Sequence, residues 1–294
     1  MTMRQNFYKK IDGYVASIAS NYKENSHIIS LDLGFMPDRD AIVEIIHLLR
    51  ALLFPGYFGR LDLASQSINY HIGDLLDNIY MKLHRQICHA LKSQTGQPAA
   101  SPDELPEKAD ELICRFFDKL PEIRNCLAKD VQATYDGDPS VTSTDEVVFS
   151  FPGIFAISIY RLAHELHSLL VPLIPRIMTE YAHNKTGIDI HPAANIGAPF
   201  FIDHGTGIVI GETTSIGNYV RIYQSVTLGA LSPQQGQSLR GVKRHPTLED
   251  YVVVYSGASI MGGETVIGKG SVIGSNVFLT QSVPPGSRIS LKKS

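Results

Sequence analysis

Apolar residues recur at every sixth position in the second half of the chain, which fits neither the 3.6-residue period of a helix nor the period of 2 of a strand. The first row contains Ile190, Ile196, Ile202 and Ile208, and after a shift of two residues the second contains Ile210, Ile216, Ile222 and Leu228. The third contains Leu248, Val254, Ile260, Val266, Val272 and Phe278. A fixed short period is typical of solenoids. The pattern predicts a parallel β-helix with these residues pointing inward.

The rows lose register between Leu228 and Leu248, which are 20 residues apart, not a multiple of six. The intervening segment is polar and carries Arg240, Lys243, Arg244 and His245. We therefore predict a loop at about 230–246 that protrudes from the coil. Loops on a rigid scaffold often carry function.

The first half, residues 1–185, has helical periodicity. Ile42, Ile45, Ile46, Leu49 and Leu52 share one helical face, and Asp38 is placed to cap the N-terminus of that helix. Segments 67–91 and 110–120 repeat the amphipathic pattern, with a polar connector at 92–108 between them. Segment 151–178 predicts a longer apolar helix broken by Pro172 and Pro175. The sequence thus predicts an α+β protein: an all-α domain at 1–185 and a β-helix domain at 186–294.

Composition narrows the class of protein. Among 294 residues, 44% are hydrophobic and 19% charged, and the formal net charge is −3. These values are typical of a globular protein and do not favour binding to nucleic acid or to a membrane surface. No apolar run is long enough for a membrane span, and the N-terminus lacks the apolar core of a secretory signal. The three cysteines have no metal-ligand spacing, so we expect a cytoplasmic protein without a disulfide framework.

Several motifs occur in order along the chain: DPSV at 138–141, DIHPAANIG at 189–197, DHGTGIVIGET at 203–213, QSVTLGA at 224–230, KRHP at 243–246 and SVPPGS at 282–287. Together with the helical first half, they resemble the serine acetyltransferase family over about 138–287. Residues 1–130 match only in being helical. The resemblance implies a left-handed parallel β-helix and transfer of an acetyl group from acetyl-CoA to the hydroxyl of L-serine, the first step of cysteine biosynthesis.

Such a transfer needs a base, because a protonated serine hydroxyl is a weak nucleophile. Histidine suits this role, since its ordinary pKa of about 6.5 lies near working pH. His204 is the candidate base, and the resemblance assigns Asp189 as the carboxylate that orients it, as in catalytic triads. Asp189 precedes His204 by 15 residues, a little less than one coil, so neighbouring coils could bring the two together.

The resemblance also implies the contacts to the acceptor. Asp138 and Asp203 would bind its ammonium group, and the planar fork of Arg244 would bind its carboxylate. His245 is a second imidazole on the substrate side. His191 is favoured as a structural residue.

The donor is expected to be acetyl-CoA, a co-substrate rather than a resident cofactor, and no metal is expected. Its phosphates need cations, for which Lys243, Lys269 and Arg240 are available. By resemblance, Ala230 and Ser256 lie near the pantetheine groove, and the backbone N–H near Gly229 is a candidate oxyanion donor. All three cysteines lie in the helical half, so we expect direct transfer without an acyl-cysteine intermediate.

The family resemblance extends to assembly. It implies a homotrimer with active sites between adjacent prisms, in some members a dimer of trimers, and inhibition by L-cysteine. Family members commonly end in an Ile that docks into O-acetylserine sulfhydrylase. The sequence here ends in Ser294, which weighs against that docking.

Three alternatives compete with this interpretation. The chain could be an acetyltransferase of a sugar or antibiotic hydroxyl, although the helical half and Asp138 weigh against it. A zinc protein resembling γ-carbonic anhydrase could use His191, His204 and His245 across a trimer interface. A non-catalytic solenoid would explain the repeat but not the clustered His, Asp and Arg residues.

Overall fold

The computed structural model describes residues 3–28, 36–59, 67–93, 104–231 and 236–291. Most of the predicted connector (94–103), part of the predicted loop (232–235) and Ser294 lie outside these ranges. The chain forms two compact units, residues 1–36 and 37–294. The described part of the first unit is helix α1 (Met3–Glu24), none of whose residues is buried, and a 3-10 turn at Ser26–Ile28.

The second unit begins with six further helices: α2 (Arg39–Leu53), α3 (Ile68–Lys92), α4 (Glu104–Gly137), α5 (Thr144–Ser150), α6 (Pro152–Ser168) and α7 (Ile174–Thr186). Asp38 caps α2 as predicted, because its carboxylate accepts from the backbone N–H groups of Asp40 and Ala41. The predicted break in segment 151–178 occurs at 169–173 and includes Pro172. Pro175 instead lies in the first turn of α7, where a missing N–H costs nothing.

Fourteen short strands follow in the described residues: β1 (Asp189–Ile190), β2 (Asn195–Ile196), β3 (Phe200–Asp203), β4 (Val209–Ile210), β5 (Ser215–Ile216), β6 (Val220–Tyr223), β7 (Thr227–Gly229), β8 (Thr247–Leu248), β9 (Val253–Val254), β10 (Ser259–Met261), β11 (Val266–Ile267), β12 (Val272–Ile273), β13 (Phe278–Leu279) and β14 (Arg288–Ile289). They form three parallel sheets: sheet A (β1-β4-β7-β10-β13), sheet B (β2-β5-β8-β11) and sheet C (β3-β6-β9-β12-β14). The chain passes repeatedly from A to B to C. The predicted helical region followed by a parallel β-helix is confirmed.

The predicted inward rows are correct as far as Ile260 and wrong beyond it. Ile267 and Ile273 are fully buried, whereas Val266 and Val272 are only partly buried and Phe278 is 67% exposed. The cause is one extra residue between β10 and β11, since Ile267 pairs with Leu248 in register. A shift of one residue turns every side chain of a strand to the other face.

The predicted loop is confirmed in its described part: residues 236–246 lie between β7 and β8 and include a 3-10 turn at Gly236–Leu239. Among the described residues, no single helix is long and apolar enough to cross a membrane. Helices α5 and α6, bent by 73° at their junction, reach the length and apolar composition of a membrane span only when taken together.

A buried ion pair joins the helices to the coil. Arg161 of α6 donates from Nε and Nη2 to the two carboxylate oxygens of Asp130 in α4, at 2.7 and 2.9 Å. Arg161 also donates to the backbone oxygens of Ile196 and Gly197, and Asp130 accepts from the backbone N–H of Phe200. The pair therefore fixes α4 and α6 against β2 and β3, next to the turn that carries His204.

Candidate active site

His204 lies at the turn between β3 and β4, where sheet C passes into sheet A. Its backbone has a φ of 57°, a left-handed conformation that is uncommon but found more often for histidine than for most residues. The imidazole is 70% exposed, and its Nδ1 lies 3.6 Å from Oδ1 of Asp203, which ends β3. The shift of two residues between the first two apolar rows falls at this turn.

Asp138 reaches the same turn from the end of α4. Gly137 lies against the ring of Phe201 in β3, so closely that a Cβ at this position would be 2.7 Å from a ring carbon. Only glycine therefore lets the chain bring Asp138 beside β3. Its Oδ1 accepts from the hydroxyl and the backbone N–H of Ser140, and these bonds, with a smaller contribution from His204, lower the pKa of Asp138.

Tyr223 is a member of this cluster that the sequence analysis missed. It pairs with Asp203 in the register of β3 and β6, and its ring stacks on that of Tyr255 at 5.0 Å between centroids. Burial, followed by the charges of Asp203, Tyr255 and Asp138, raises the pKa of Tyr223. We call Asp138, Asp203, His204 and Tyr223 the acidic corner.

Asp189 lies in β1 on sheet A, in register with Val209. Within the described ranges, its carboxylate makes no hydrogen bond to His204, whose carboxylate partner is Asp203. Ligand atoms of Asp189, Glu180 and His183 instead lie within 4.8 Å of one another, a grouping that could hold a metal ion. The orienting role of Asp189 remains a prediction.

Arg244 and His245 lie at the other end of the sheet A strands, where the chain passes from sheet A into sheet B. The guanidinium of Arg244 donates to the carboxylate of Glu212, which follows β4, and to the backbone oxygen of Leu239 at 3.2 Å. Thr213 Oγ1 accepts from the backbone N–H groups of both Arg244 and His245, at 2.9 and 3.0 Å. Thr213 thus ties the end of the loop to the coil. We call Glu212, Thr213, Arg244 and His245 the basic corner.

His245 is buried and neutral at neutral pH. Burial, followed by the charge of Arg244, lowers its pKa to about 4. Its Nδ1 accepts from the backbone N–H of Thr213 at 3.1 Å, so the proton of the neutral ring is on Nε2. That nitrogen lies against Gly211, where a Cβ would be 2.2 Å away. His245 is therefore a neutral hydrogen-bond donor rather than a cation.

His191 lies near this corner and is also neutral. Burial, followed by the charge of Arg176, lowers its pKa to about 4, and its Nδ1 accepts from the backbone N–H of Ala193. The hydrogen bond to Ala193 supports the structural role predicted for His191.

The residues predicted to bind the donor are spread over three places. Ala230 and Arg240 line a cavity of about 470 Å³ together with Glu212, Arg244 and His245. Gly229 ends β7 beside this cavity. The ammonium of Lys243 donates to the backbone oxygens of Thr213 and Pro246, and burial lowers its pKa, so it stabilises the loop.

Ser256 and Lys269 complete the predicted set. Ser256 follows β9 at the C-to-A turns that also carry His204, with its hydroxyl 3.2 Å from that of Ser275. Lys269 lies at the third set of turns, between sheets B and C, 5.5 Å from the ring centroid of Tyr251. The structure does not bring Lys269 to either corner.

Known proteins share this architecture and sequence. Residues 73–158 match the family model described as serine acetyltransferase, N-terminal. The plasmid serine acetyltransferase of Synechococcus elongatus is 49% identical over 270 residues, which cover 90% of this chain and 84% of that one. The chain belongs to the serine acetyltransferase family. It is an acyltransferase, and the similarity extends well beyond the segment 138–287 recognised in the sequence.

Solved structures of this family agree with the fold. Serine acetyltransferase 1 of Entamoeba histolytica, in complex with L-cysteine, has a TM-score of 0.73 and 31% identity, covering 96% of this chain and all of that one. The Neisseria gonorrhoeae serine acetyltransferase, in complex with serine, has a TM-score of 0.55 and 26% identity, covering 84% of this chain and 95% of that one.

Proposed function

We propose that the chain transfers the acetyl group of acetyl-CoA to the hydroxyl of L-serine, with His204 as the general base. The observation that carries this assignment is the pair of corners with opposite chemistry in a family member. An acceptor with both an ammonium and a carboxylate group needs a negative and a positive partner. Asp138 and Asp203 supply the first, and Arg244 supplies the second.

The exposed imidazole of His204 suits the proton transfers. It removes the proton from the serine hydroxyl as the oxygen attacks the thioester carbonyl carbon. A tetrahedral oxyanion forms, for which a backbone N–H near Gly229 is the proposed donor. The C–S bond then breaks, and the departing thiolate takes the proton back from the imidazolium. The products are O-acetyl-L-serine and CoA.

The two corners lie at opposite ends of the sheet A strands, so one chain does not bring them together. We infer that three copies turn sheet A toward a common axis, so that the acidic corner of each meets the basic corner of the next. Contacts of this head-to-tail kind close into a ring when the rotation between neighbouring copies returns to the first copy. The outward face of sheet A carries exposed apolar side chains, Val209 at 38% and Phe278 at 67%, which such packing would cover.

The same arrangement offers a place for the donor. The cavity beside Ala230 and Arg240 opens at the basic corner, and Ser256 lies along the acidic corner. Acetyl-CoA lying between two copies would contact both sets of residues. L-cysteine differs from serine by a thiol in place of the hydroxyl, so we propose that it occupies the acceptor site as an inhibitor, as the Entamoeba histolytica complex with L-cysteine suggests.

Release of CoA from acetyl-CoA, followed with a thiol-reactive dye, tests the reaction. We expect release that depends on L-serine, and none above background with L-alanine, which has the same ammonium and carboxylate but no hydroxyl. Release that is equal with both amino acids, or absent with L-serine in a folded oligomer, would contradict the proposed acceptor. L-cysteine must be tested by following acetyl-CoA loss directly, because its own thiol reacts with the dye.

A further inference from the structure

The helical region buries the guanidinium of Arg50, in α2, which is 8% exposed. Among the residues that the structure describes, its buried Nε has no hydrogen-bond partner. In the described part of the chain no carboxylate pairs with it. Burial lowers its pKa to about 10, so it stays charged at neutral pH. A buried charge without a partner is costly, and natural proteins rarely retain one without a reason.

Two aromatic rings hold the guanidinium by its faces. Its central carbon lies 4.0 Å from the ring centroid of Phe58 and 4.5 Å from that of Phe155. Such cation–π contacts use the flat faces of the group. The N–H bonds point along its plane, where two of them can bind a carboxylate side by side. The aromatic contacts therefore stabilise the charge without occupying the plane in which a guanidinium binds a planar anion.

Arg50 lines a cavity of about 390 Å³ between α2, the junction of α5 with α6, and the end of α7. Lys185 and Tyr181 line it too, and its walls include Phe149, Phe151 and Phe155. No carboxylate is found among these lining residues. The cavity thus combines two cations with an aromatic surface.

The two charges that act on His47, beside this cavity, are both positive. Nε2 of His47 is hydrogen-bonded to the hydroxyl of Tyr181 at 3.2 Å. Burial, followed by the charges of Arg50 and Lys185, lowers the pKa of His47. Glu44, which lines an adjoining cavity on Arg50, is paired with Lys82 at 2.9 Å. Glu44 is therefore paired with Lys82 rather than with Arg50.

We propose that this cavity binds a small organic carboxylate with an apolar body, with the carboxylate on Arg50 and Lys185 and the body against Phe149, Phe151 and Phe155. None of the residues that line this cavity belongs to either corner of the candidate active site. Its aromatic lining disfavours a strongly hydrated inorganic anion, because a dianion such as phosphate would lose its water against apolar walls.

Calorimetric titration of the full chain with benzoate tests this site, with benzyl alcohol as the neutral probe of the same shape and inorganic phosphate as the hydrated anion. We expect one benzoate per chain and no binding of either control. Binding of benzyl alcohol as tight as that of benzoate would show an apolar pocket only. Binding of phosphate without benzoate would also overturn the proposal.

Three variants locate the binding. Lys185→Met, at an exposed position, should weaken benzoate binding about tenfold, the worth of one charge-assisted hydrogen bond. Arg50→Met should abolish it, and we expect this variant to fold because it removes an unpaired charge from the interior. Lys119→Met, an exposed lysine of α4, is the matched control and should bind as the wild type does. Unchanged affinity in Lys185→Met and Arg50→Met would refute the site, whatever the catalytic activity.

Discussion

The two corners of sheet A differ in how the chain holds their polar groups. At the basic corner, Thr213 fixes Arg244 and His245 through their backbone, and Glu212 binds the guanidinium. At the acidic corner, the imidazole of His204 is 70% exposed and its Nδ1 lies 3.6 Å from the carboxylate of Asp203. The basic corner is thus ordered within one chain. The acidic corner keeps its imidazole free, as a group that must exchange protons with a substrate requires.

The largest effect should come from the exposed imidazole. His204→Ala removes the proposed base and should lower the rate of serine-dependent CoA release about a thousandfold, within the range typical of general base catalysis. Thiol release at saturating L-serine measures it. His27→Ala, an exposed histidine of the first unit, is the control and should retain the wild-type rate. A His204→Ala rate within threefold of wild type would remove this residue from catalysis.

The second prediction tests whether the corners act in pairs from different copies. His204→Ala and Arg244→Ala should each be nearly inactive alone. Mixed oligomers formed by refolding or co-expressing the two variants should recover about a quarter of wild-type activity, since random mixing joins one intact acidic corner to one intact basic corner at that frequency. Mixtures without recovered activity, in verified mixed oligomers, would place both corners in a site of one chain.

The third prediction concerns the tie that orders the basic corner. Thr213→Val removes the hydroxyl that accepts from the backbone of Arg244 and His245, and should lower kcat/KM for L-serine about tenfold, the worth of one or two hydrogen bonds. The neighbouring Thr214 has a buried hydroxyl that finds no hydrogen-bond partner in the described part of the chain. Thr214→Val is therefore the matched control, with unchanged kinetics and equal or higher stability. Equal kinetic losses in both variants would show that the tie has no specific role.

The sequence predicts the coil well while the six-residue period is unbroken. Up to Ile260 the period selects the buried residue even where two apolar residues are adjacent, as at Val209–Ile210 and Val253–Val254. Beyond it, at Val266–Ile267, Val272–Ile273 and Phe278–Leu279, both residues of a pair are apolar, so periodicity alone does not decide which one faces inward. The extra residue between β10 and β11 decides it, and only the pairing of strands reveals that residue.

The phase of the repeat also explains which site residues were found. His204 and Ser256 each follow an inward residue of sheet C by two positions, which puts them at the same set of turns. Lys269 follows Ile267 of sheet B by two positions and therefore lies at the turns from sheet B to sheet C, not at those that carry His204. Glu212 and Thr213 were missed because their contacts to Arg244 and His245 span about 32 residues and depend on the loop returning to the coil.

The smallest effect should be the dependence of stability on pH that the buried imidazoles cause. Burial lowers the pKa of His191 and His245 to about 4, while both would titrate near 6.5 in the unfolded chain. Between these values the unfolded chain binds more protons, so stability falls as the pH decreases from about 6.5 toward 4. The urea midpoint should therefore be lower at pH 5 than at pH 7, and the difference should shrink in His245→Gln but not in His27→Gln. A difference of equal size in wild type and His245→Gln would show that this imidazole titrates alike in the folded and unfolded chain. The basic corner would then not shield His245 from solvent, and the contrast with the exposed imidazole of His204 would be lost.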